Sequence, residues 1–214
     1  MVARPRKNKP NTYERIIDAS LKLFNEEGER KISTNHISMH LVMSPGNLYY
    51  HFRNKDEIIM QLFKRYRHDI LTFLEDSEAP QDAAGMRRFI ADIFNIMWDY
   101  RFFFSDVNTL LSRSSELQDE HEKFTLDQIS PLIASYLERM NKSGVLSMDE
   151  TDTEFFTVNF WILIKYWFVF DKSIHNNHLD ESSKRRGLRQ ILGLLRPYVG
   201  SAHRAGYDQE LEQL

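Results

Sequence analysis

The chain has 214 residues, of which 42% are hydrophobic and 28% charged, with a formal net charge of −3 and no cysteine. This length allows one large domain or two small ones, and the lack of cysteine excludes disulfides and cysteine-based zinc sites. The N-terminus lacks the apolar segment of a signal peptide, and the apolar stretch 155–170 is too short and too polar to cross a bilayer. We therefore expect a soluble, cytoplasmic protein.

Charge is unevenly distributed along the chain. Residues 1–70 carry 13 basic and 8 acidic side chains, whereas the remainder carries 15 basic and 23 acidic ones. The first ten residues, with Arg4, Arg6 and Lys7, contain no acid and predict a flexible basic arm, which is either a solvated tail or an aid to nucleic-acid binding. The pattern indicates that the N-terminal third approaches an anionic partner.

Residues 11–55 predict one long helix followed by two short ones. Asn11 is a suitable cap for a helix that ends near Gly28, and Ser33 can cap a second helix through His40. After the tight connection Val42-Met43, the third helix begins at Ser44, a preferred N-cap. A long helix and two short ones joined by a tight turn have the outline of a helix-turn-helix unit.

The third helix carries the strongest signals. Pro45 suits the first helical position, and Asn54 can cap the next helix, which has acids in its first turn. A helix of about two turns buries too little to be stable alone. Its outward polar groups, which are Asn47, Tyr49, Tyr50, His51 and Lys55, suit contact with a polyanion.

The rest of the chain also predicts helices. They cover 55–75, which connects the two parts, then 86–100, 115–142, 150–174 and 182–199, and Pro131 should kink or split the third of these. We predict an all-α fold of about nine helices. Its parts are the arm 1–10, a helix-turn-helix domain 11–55 suited to DNA binding, a second helical domain 76–200, and a flexible tail 201–214.

The motif Ser44-Pro45-Gly46-Asn47-Leu48-Tyr49-Tyr50-His51-Phe52, followed by Asn54-Lys55-Asp56-Glu57-Ile58-Ile59, resembles the signature of tetracycline-repressor-like (TetR/AcrR) regulators. The likeness covers roughly residues 12–60, and a weaker one to a branch of bacterial transcriptional repressors covers Tyr100–Arg113. The resemblance implies a homodimer on a near-palindromic double-stranded DNA operator, released when a small molecule binds the C-terminal domain. It also implies that residues 76–200 form an effector-binding and dimerisation domain. The DNA-contacting residues that we expect, arm included, are Arg4, Arg6, Lys7, Thr34, Asn35, Ser44, Pro45, Gly46, Asn47, Tyr49, Tyr50, His51 and Lys55. Of these, Tyr49, His51 and Lys55 would hold phosphates.

The turn before the third helix departs from the family pattern. Ser38, Leu41 and Val42 stand where the family usually has small residues and a glycine. Because a β-branched residue is disfavoured at positive φ, either Val42 keeps a negative φ or the turn is reshaped.

Aromatic residues of the second part predict a pocket for a largely apolar effector, with a few amides. The lining candidates are Trp98, Tyr100, Phe102, Phe103, Asn108, Asn159, Tyr166 and Trp167. The helices 150–174 and 182–199 predict a four-helix dimer interface, with Trp161, Phe168, Leu188, Ile191, Leu192 and Leu195 as candidates.

Other functional classes have little support. His36 and His40 have a metal-compatible spacing but no third ligand, so we expect no metal and no cofactor. No nucleophile elbow, glycine-rich phosphate loop or His-Glu-x-x-His motif is present, which argues against an enzyme. We therefore predict a dimeric, ligand-responsive repressor; the alternative is an architectural or activating DNA-binding protein without an effector.

Overall fold

The computed structural model describes residues 11–214, which form helices joined by turns and contain no strand. The predicted all-α fold is confirmed. The chain divides into two compact units, the first ending at Arg65 and the second beginning at Tyr66. The predicted basic arm 1–10, with Arg4, Arg6 and Lys7, lies outside the described residues. Within 11–214, no helix has both the length and the apolar character needed to cross a membrane.

The helices are more numerous than the nine or so predicted, because the segment 101–113 forms two short helices and the C-terminal segment forms another. In order, they are α1 (Thr12–Glu27), α2 (Thr34–His40), α3 (Pro45–His51), α4 (Lys55–Asp76), α5 (Ala83–Asp99), α6 (Arg101–Ser105), α7 (Val107–Arg113), α8 (Ser115–Lys123), α9 (Ser130–Lys142), α10 (Glu150–Ile174), α11 (Glu181–Leu195) and α12 (Arg204–Glu212). The division between the units falls within α4.

In the first unit, local capping sets the helix boundaries. The side chain of Asn11 accepts a hydrogen bond from the backbone N–H of Glu14 at 2.9 Å, and Gly28, at φ +88°, ends α1 by donating to the carbonyl of Phe24. Both predicted caps are confirmed. Helix α2 packs against α1 and α3. The short helices α2 and α3 are thus held by caps and tertiary packing, as their length requires.

The core of the second unit is rich in aromatic rings. Tyr66 makes edge-to-face contacts with Tyr100, Phe104 and Phe124, with centroids 5.0–5.9 Å apart. Helix α11 approaches its neighbours closely at Gly187, where an added Cβ would lie 2.5 Å from the ring of Phe94. These contacts bury the apolar faces of the surrounding helices around a single core.

A buried ion pair joins α10 to α11. Asp171 is fully buried, and Arg186 donates to both of its carboxylate oxygens at 2.7 Å. Burial alone would raise the pKa of Asp171, but hydrogen bonds from Arg186 and Ser183 hold that pKa below its usual value. The carboxylate therefore stays ionised inside the unit at neutral pH.

The predicted interruption near Pro131 is present as a π-helical turn, Phe124–Ile129, between α8 and α9. Proline lacks an N–H and its ring clashes with the carbonyl four residues earlier, so a regular α-helix cannot pass through it unchanged. The wider turn lets the chain remain helical from 115 to 142 and leaves Phe124 and Ile129 buried.

The C-terminal segment differs from the flexible tail predicted for 201–214. Helix α12 buries Tyr207, whose hydroxyl donates to the carbonyl of Leu192 at 2.7 Å, and Arg196 pairs with Asp208 at the same distance. The sequence did not predict this helix because Tyr207 is its only buried residue, so the segment lacks a helical pattern of apolar residues.

Candidate DNA-binding surface and effector cavity

Helix α3 presents nearly all of its side chains to solvent. Its N-terminus is fixed by Ser44, whose Oγ accepts a hydrogen bond from the N–H of Asn47 at 3.2 Å. Leu48 is fully buried and anchors the helix, while Ser44, Pro45, Gly46, Asn47, Tyr49 and Tyr50 are exposed. Tyr50 is 85% exposed, so its ring and hydroxyl are accessible to a partner.

Two of the predicted DNA contacts on α2 and α3 are brought together. The hydroxyls of Thr34 and Tyr49 lie 3.1 Å apart, so the first turn of α2 is linked to the middle of α3. Asn35 is exposed beside Thr34. His51 is partly buried, with its ring edge-on to that of Tyr50 at 5.2 Å. Thr34 is thus joined to α3 by a hydrogen bond, and the contact of these side chains with DNA stays a prediction.

The sequence predicts that Lys55 contacts a DNA phosphate, but in the structure its ammonium bonds to acceptors within the protein. Its ammonium lies 2.8 Å from the carboxylate of Glu29 and 3.0 Å from the carbonyl oxygens of Glu29 and Ile32. The Glu29 side chain is only 1% exposed. An ammonium has three N–H donors, and these three acceptors engage them all. Lys55 therefore neutralises a buried acid and ties α4 to the turn after α1.

Arg53 is an exposed cation that the sequence reading passed over. It lies between α3 and α4, and its side chain is 90% exposed. Glu57 accepts a hydrogen bond from the backbone N–H of Arg53, while Asn54 caps α4 through the N–H of Glu57. The sequence feature that could have indicated Arg53 as a DNA contact is its position directly before the helix cap Asn54 and two residues after His51.

The turn between α2 and α3 adopts the conformation expected of glycine although the residue is valine. Val42 has φ +52° and donates to Met39, while Met43 donates to Ser38, which is the hydrogen-bond pattern of a Schellman cap. Neither predicted alternative holds, because the turn keeps its shape and Val42 carries the backbone strain. Its side chain is 94% exposed, so no packing compensates for that strain.

We expect Val42→Gly to raise the free energy of unfolding by about 1 kcal/mol, because glycine removes a left-handed penalty of about 1–2 kcal/mol but has more conformational entropy to lose. Urea denaturation of the full chain measures the change. Val42→Ala is the control, since it shortens the same exposed side chain but retains a Cβ at positive φ. Equal stability of the glycine and alanine variants would contradict the assignment of strain.

A cavity in the second unit has an almost entirely apolar wall. The empty space between its walls, part of which is open to solvent, is about 790 Å³. The volume open to water molecules is about 70 Å³, which is room for several waters. The lining includes Met86, Ile90, Ile133, Phe156, Phe160, Trp161, Lys165 and Leu195.

None of the eight predicted pocket residues lines this cavity. Tyr100, Phe102, Phe103 and Trp167 are buried in the core, and the indole of Trp167 donates to the carbonyl of Ser183. The other four are Trp98, Asn108, Asn159 and Tyr166. The ring of Trp98 lies under the cations of Arg101 and Lys184. Asn108 and Tyr166 are within hydrogen-bonding distance of each other. The cavity lies instead between other side chains of the second unit, two of which, Trp161 and Leu195, the sequence predicted as interface residues.

The predicted interface residues also have other roles. Phe168, Leu188, Ile191, Leu192 and Leu195 are at most 6% exposed within one protomer, so they cannot reach a partner, and Trp161 lines the cavity. A different face of α10 is exposed and apolar. Phe155, Val158, Ile162, Phe170 and Ile174, each 52–63% exposed, recur at helical spacing; we call them the α10 stripe.

Comparison with known proteins agrees with this arrangement. A family model described as bacterial regulatory proteins, tetR family, matches residues 16–62, and a second TetR model, described as bacterial transcriptional repressor, matches residues 65–207. The chain belongs to the TetR family. It is a TetR-family transcriptional repressor with a helix-turn-helix DNA-binding domain, and the resemblance seen in the sequence is confirmed.

Similar proteins support the TetR assignment along the chain. The crystal structure of a TetR-family transcriptional regulator from Marinobacter aquaeolei VT8 is 32% identical and has a TM-score of 0.85, covering 95% of this chain and 98% of that one. The Transposon Tn10 TetC protein of Escherichia coli is 22% identical over 90% of this chain and 92% of its own length. The biofilm operon icaADBC negative transcriptional regulator IcaR of Staphylococcus epidermidis is 22% identical over 87% and 98%.

Proposed function

We propose that this TetR-family protein is a homodimeric, ligand-responsive repressor whose α3 helices read a near-palindromic operator. The observation that carries the proposal is the surface of α3. Ser44 fixes the start of this helix and the buried Leu48 anchors it, while all the remaining positions from 44 to 50 are exposed. A capped helix with a single buried anchor fits a major groove, where an α-helix can reach base edges.

Within this surface we assign different roles to different side chains. Asn47 and Tyr50 project into solvent and are proposed to read bases, since an amide can pair with adenine. Tyr49 is oriented by Thr34, and with His51 and Arg53 it is proposed to hold the phosphate backbone. Arg53 takes the phosphate role first predicted for Lys55, because Lys55 already has three acceptors in the protein.

Dimerisation is proposed to use the α10 stripe. Its five residues span positions 155–174, which is about 28 Å of helix at 1.5 Å per residue. An exposed apolar row of this length is unfavourable in water and typical of an interaction surface. Pairing two copies of the same stripe about a two-fold axis would cover it, as an isologous interface requires.

The cavity is proposed to hold the effector. Its wall is apolar, so the ligand is a largely apolar small molecule, held mainly by removal of its surface from water. Effector binding is proposed to favour a conformation with lower operator affinity; by linkage, operator DNA must then lower the affinity for the effector by the same factor.

Selection of binding sites from random DNA tests the DNA-binding proposal. We expect the wild type to recover two half-sites in inverted orientation, with centres about 34 Å or a multiple apart. Tyr50→Ala should recover a consensus altered at specific positions of each half-site, since one good base contact gives about 1–3 kcal/mol of discrimination.

The control is Gln209→Ala, an exposed position on α12 of the second unit, which should recover the wild-type consensus. Identical consensus sites for Tyr50→Ala and the wild type would remove Tyr50 from the reading surface. A consensus without inverted half-sites would contradict the dimeric mode of binding.

A further inference from the structure

The wall of the effector cavity carries one formally charged side chain, Lys165 of α10. The other lining residues are aliphatic, aromatic or methionine, and no Asp, Glu, Arg or His is among them. The hydroxyl of Tyr136 is within hydrogen-bonding distance of the carbonyl oxygens of Leu74, at 2.6 Å, and Ser77, at 2.7 Å. The wall surface is almost wholly carbon and sulfur, so Lys165 contributes mainly its aliphatic stem to it, and a ligand in this cavity meets hydrocarbon on nearly all sides. The ammonium of Lys165 lies at the end of that stem.

Lys165 lacks an acidic partner within the described part of the chain. No carboxylate oxygen from residues 11–214 lies within 4.0 Å of its ammonium, the distance of a salt bridge. The ammonium lies 5.3 Å from the ring centroid of Tyr166. Its side chain is partly buried, and this burial lowers the pKa of Lys165 from its ordinary value. A partly desolvated ammonium without a counter-charge is unfavourable, and an anion beside it would lower its free energy.

The neighbouring histidine does not supply a second charge. His121 is buried, with its ring stacked on that of Phe103 at a centroid distance of 6.4 Å. Burial and then the charge of Lys165 lower the pKa of His121 to about 4, so it is neutral at pH 7. The local positive charge therefore comes from Lys165.

We propose that the effector is an amphipathic anion whose apolar body occupies the cavity and whose acidic group, a carboxylate or a similar monoanion, pairs with the ammonium of Lys165. The inference rests on the proposal that this cavity is the effector site, and it narrows the ligand from any apolar molecule to one that carries an acid. A charge-assisted hydrogen bond in a partly buried site is stronger than a neutral one, so the site would prefer the acid over its neutral analogue.

Calorimetric titration of the full chain with octanoate, 1-octanol and octylamine at pH 7 tests this proposal, since the three compounds share one chain and differ in the charge of the head group. We expect octanoate to bind the wild type about tenfold more tightly than 1-octanol, and octylamine to bind most weakly. Lys165→Met should abolish the preference for octanoate while leaving the affinity for 1-octanol unchanged within about twofold.

Lys172→Met is the matched control, because Lys172 lies on the same helix, is also partly buried and is not part of the cavity wall. It should retain the preference for octanoate. Thermal unfolding gives a second readout, since Lys165→Met removes an uncompensated cation and should not lower the midpoint. Equal binding of octanoate and 1-octanol by the wild type, or a preference that survives in Lys165→Met, would overturn the role of Lys165. Binding of none of the three would contradict the apolar-effector proposal as well.

Discussion

Lys55→Met should destabilise the first unit by about 3 kcal/mol, the cost expected when one partner of a buried ion pair is removed. The substitution removes the ammonium that lies 2.8 Å from the carboxylate of Glu29, which is 1% exposed, and it removes the donor to two carbonyl groups. Chemical denaturation of the full chain, followed by helical circular dichroism, measures the loss. Methionine retains most of the aliphatic stem, so the change reports the charge and its hydrogen bonds.

Lys22→Met provides the comparison, because Lys22 is an exposed lysine on α1 and its loss should change stability by less than about 0.5 kcal/mol. The double variant Glu29→Gln with Lys55→Met should recover part of the stability, since it removes the buried charge. A Lys55→Met protein as stable as the wild type, with a weaker salt dependence of DNA binding, would restore the phosphate role predicted from sequence.

Ile162→Lys should convert the proposed dimer to monomers and weaken operator binding by about 10²-fold or more, because the two recognition helices would no longer bind as one unit. Ile162 lies in the middle of the α10 stripe and is 52% exposed, so a lysine there is tolerated by the isolated protomer. Light scattering at several protein concentrations measures the mass, and fluorescence anisotropy with operator DNA measures the affinity.

Two variants distinguish dissociation from general damage. Leu126→Lys changes another exposed apolar residue, one outside the stripe, and should leave a dimer. Leu192→Lys should unfold the second unit, because Leu192 is 1% exposed. A dimeric Ile162→Lys protein would reject the stripe as the interface.

The helix-turn-helix could be predicted because its signals are local. The capping residues Asn11, Ser33 and Ser44 bond to groups three residues away, and such contacts are encoded in adjacent sequence. The role of Lys55 could not be predicted in the same way, since its acceptors lie 23 and 26 residues earlier. Lys55 also occupies a position at which the family resemblance suggested a different role.

The faces of α10 could not be assigned from the sequence, although its bounds could. A helix that is apolar all round gives periodicity no means of separating the arc that faces the core from the one that faces a cavity or a partner. Phe168 is therefore in the core, Trp161 on the cavity wall and Ile162 in solvent, although all three lie within two turns.

The π-helical turn at Phe124–Ile129 also affects how this part of the chain can be aligned with its relatives. A wide turn places the residues after it out of phase with those before it, by up to roughly the 100° that one residue contributes to an α-helix. A helical wheel drawn continuously through 115–142 would assign Ile133 and Leu137, both on the cavity wall, to the wrong side. Relatives that lack this turn should accordingly be one residue shorter here, and a gap in an alignment of this segment would mark a change in which side chains line the cavity.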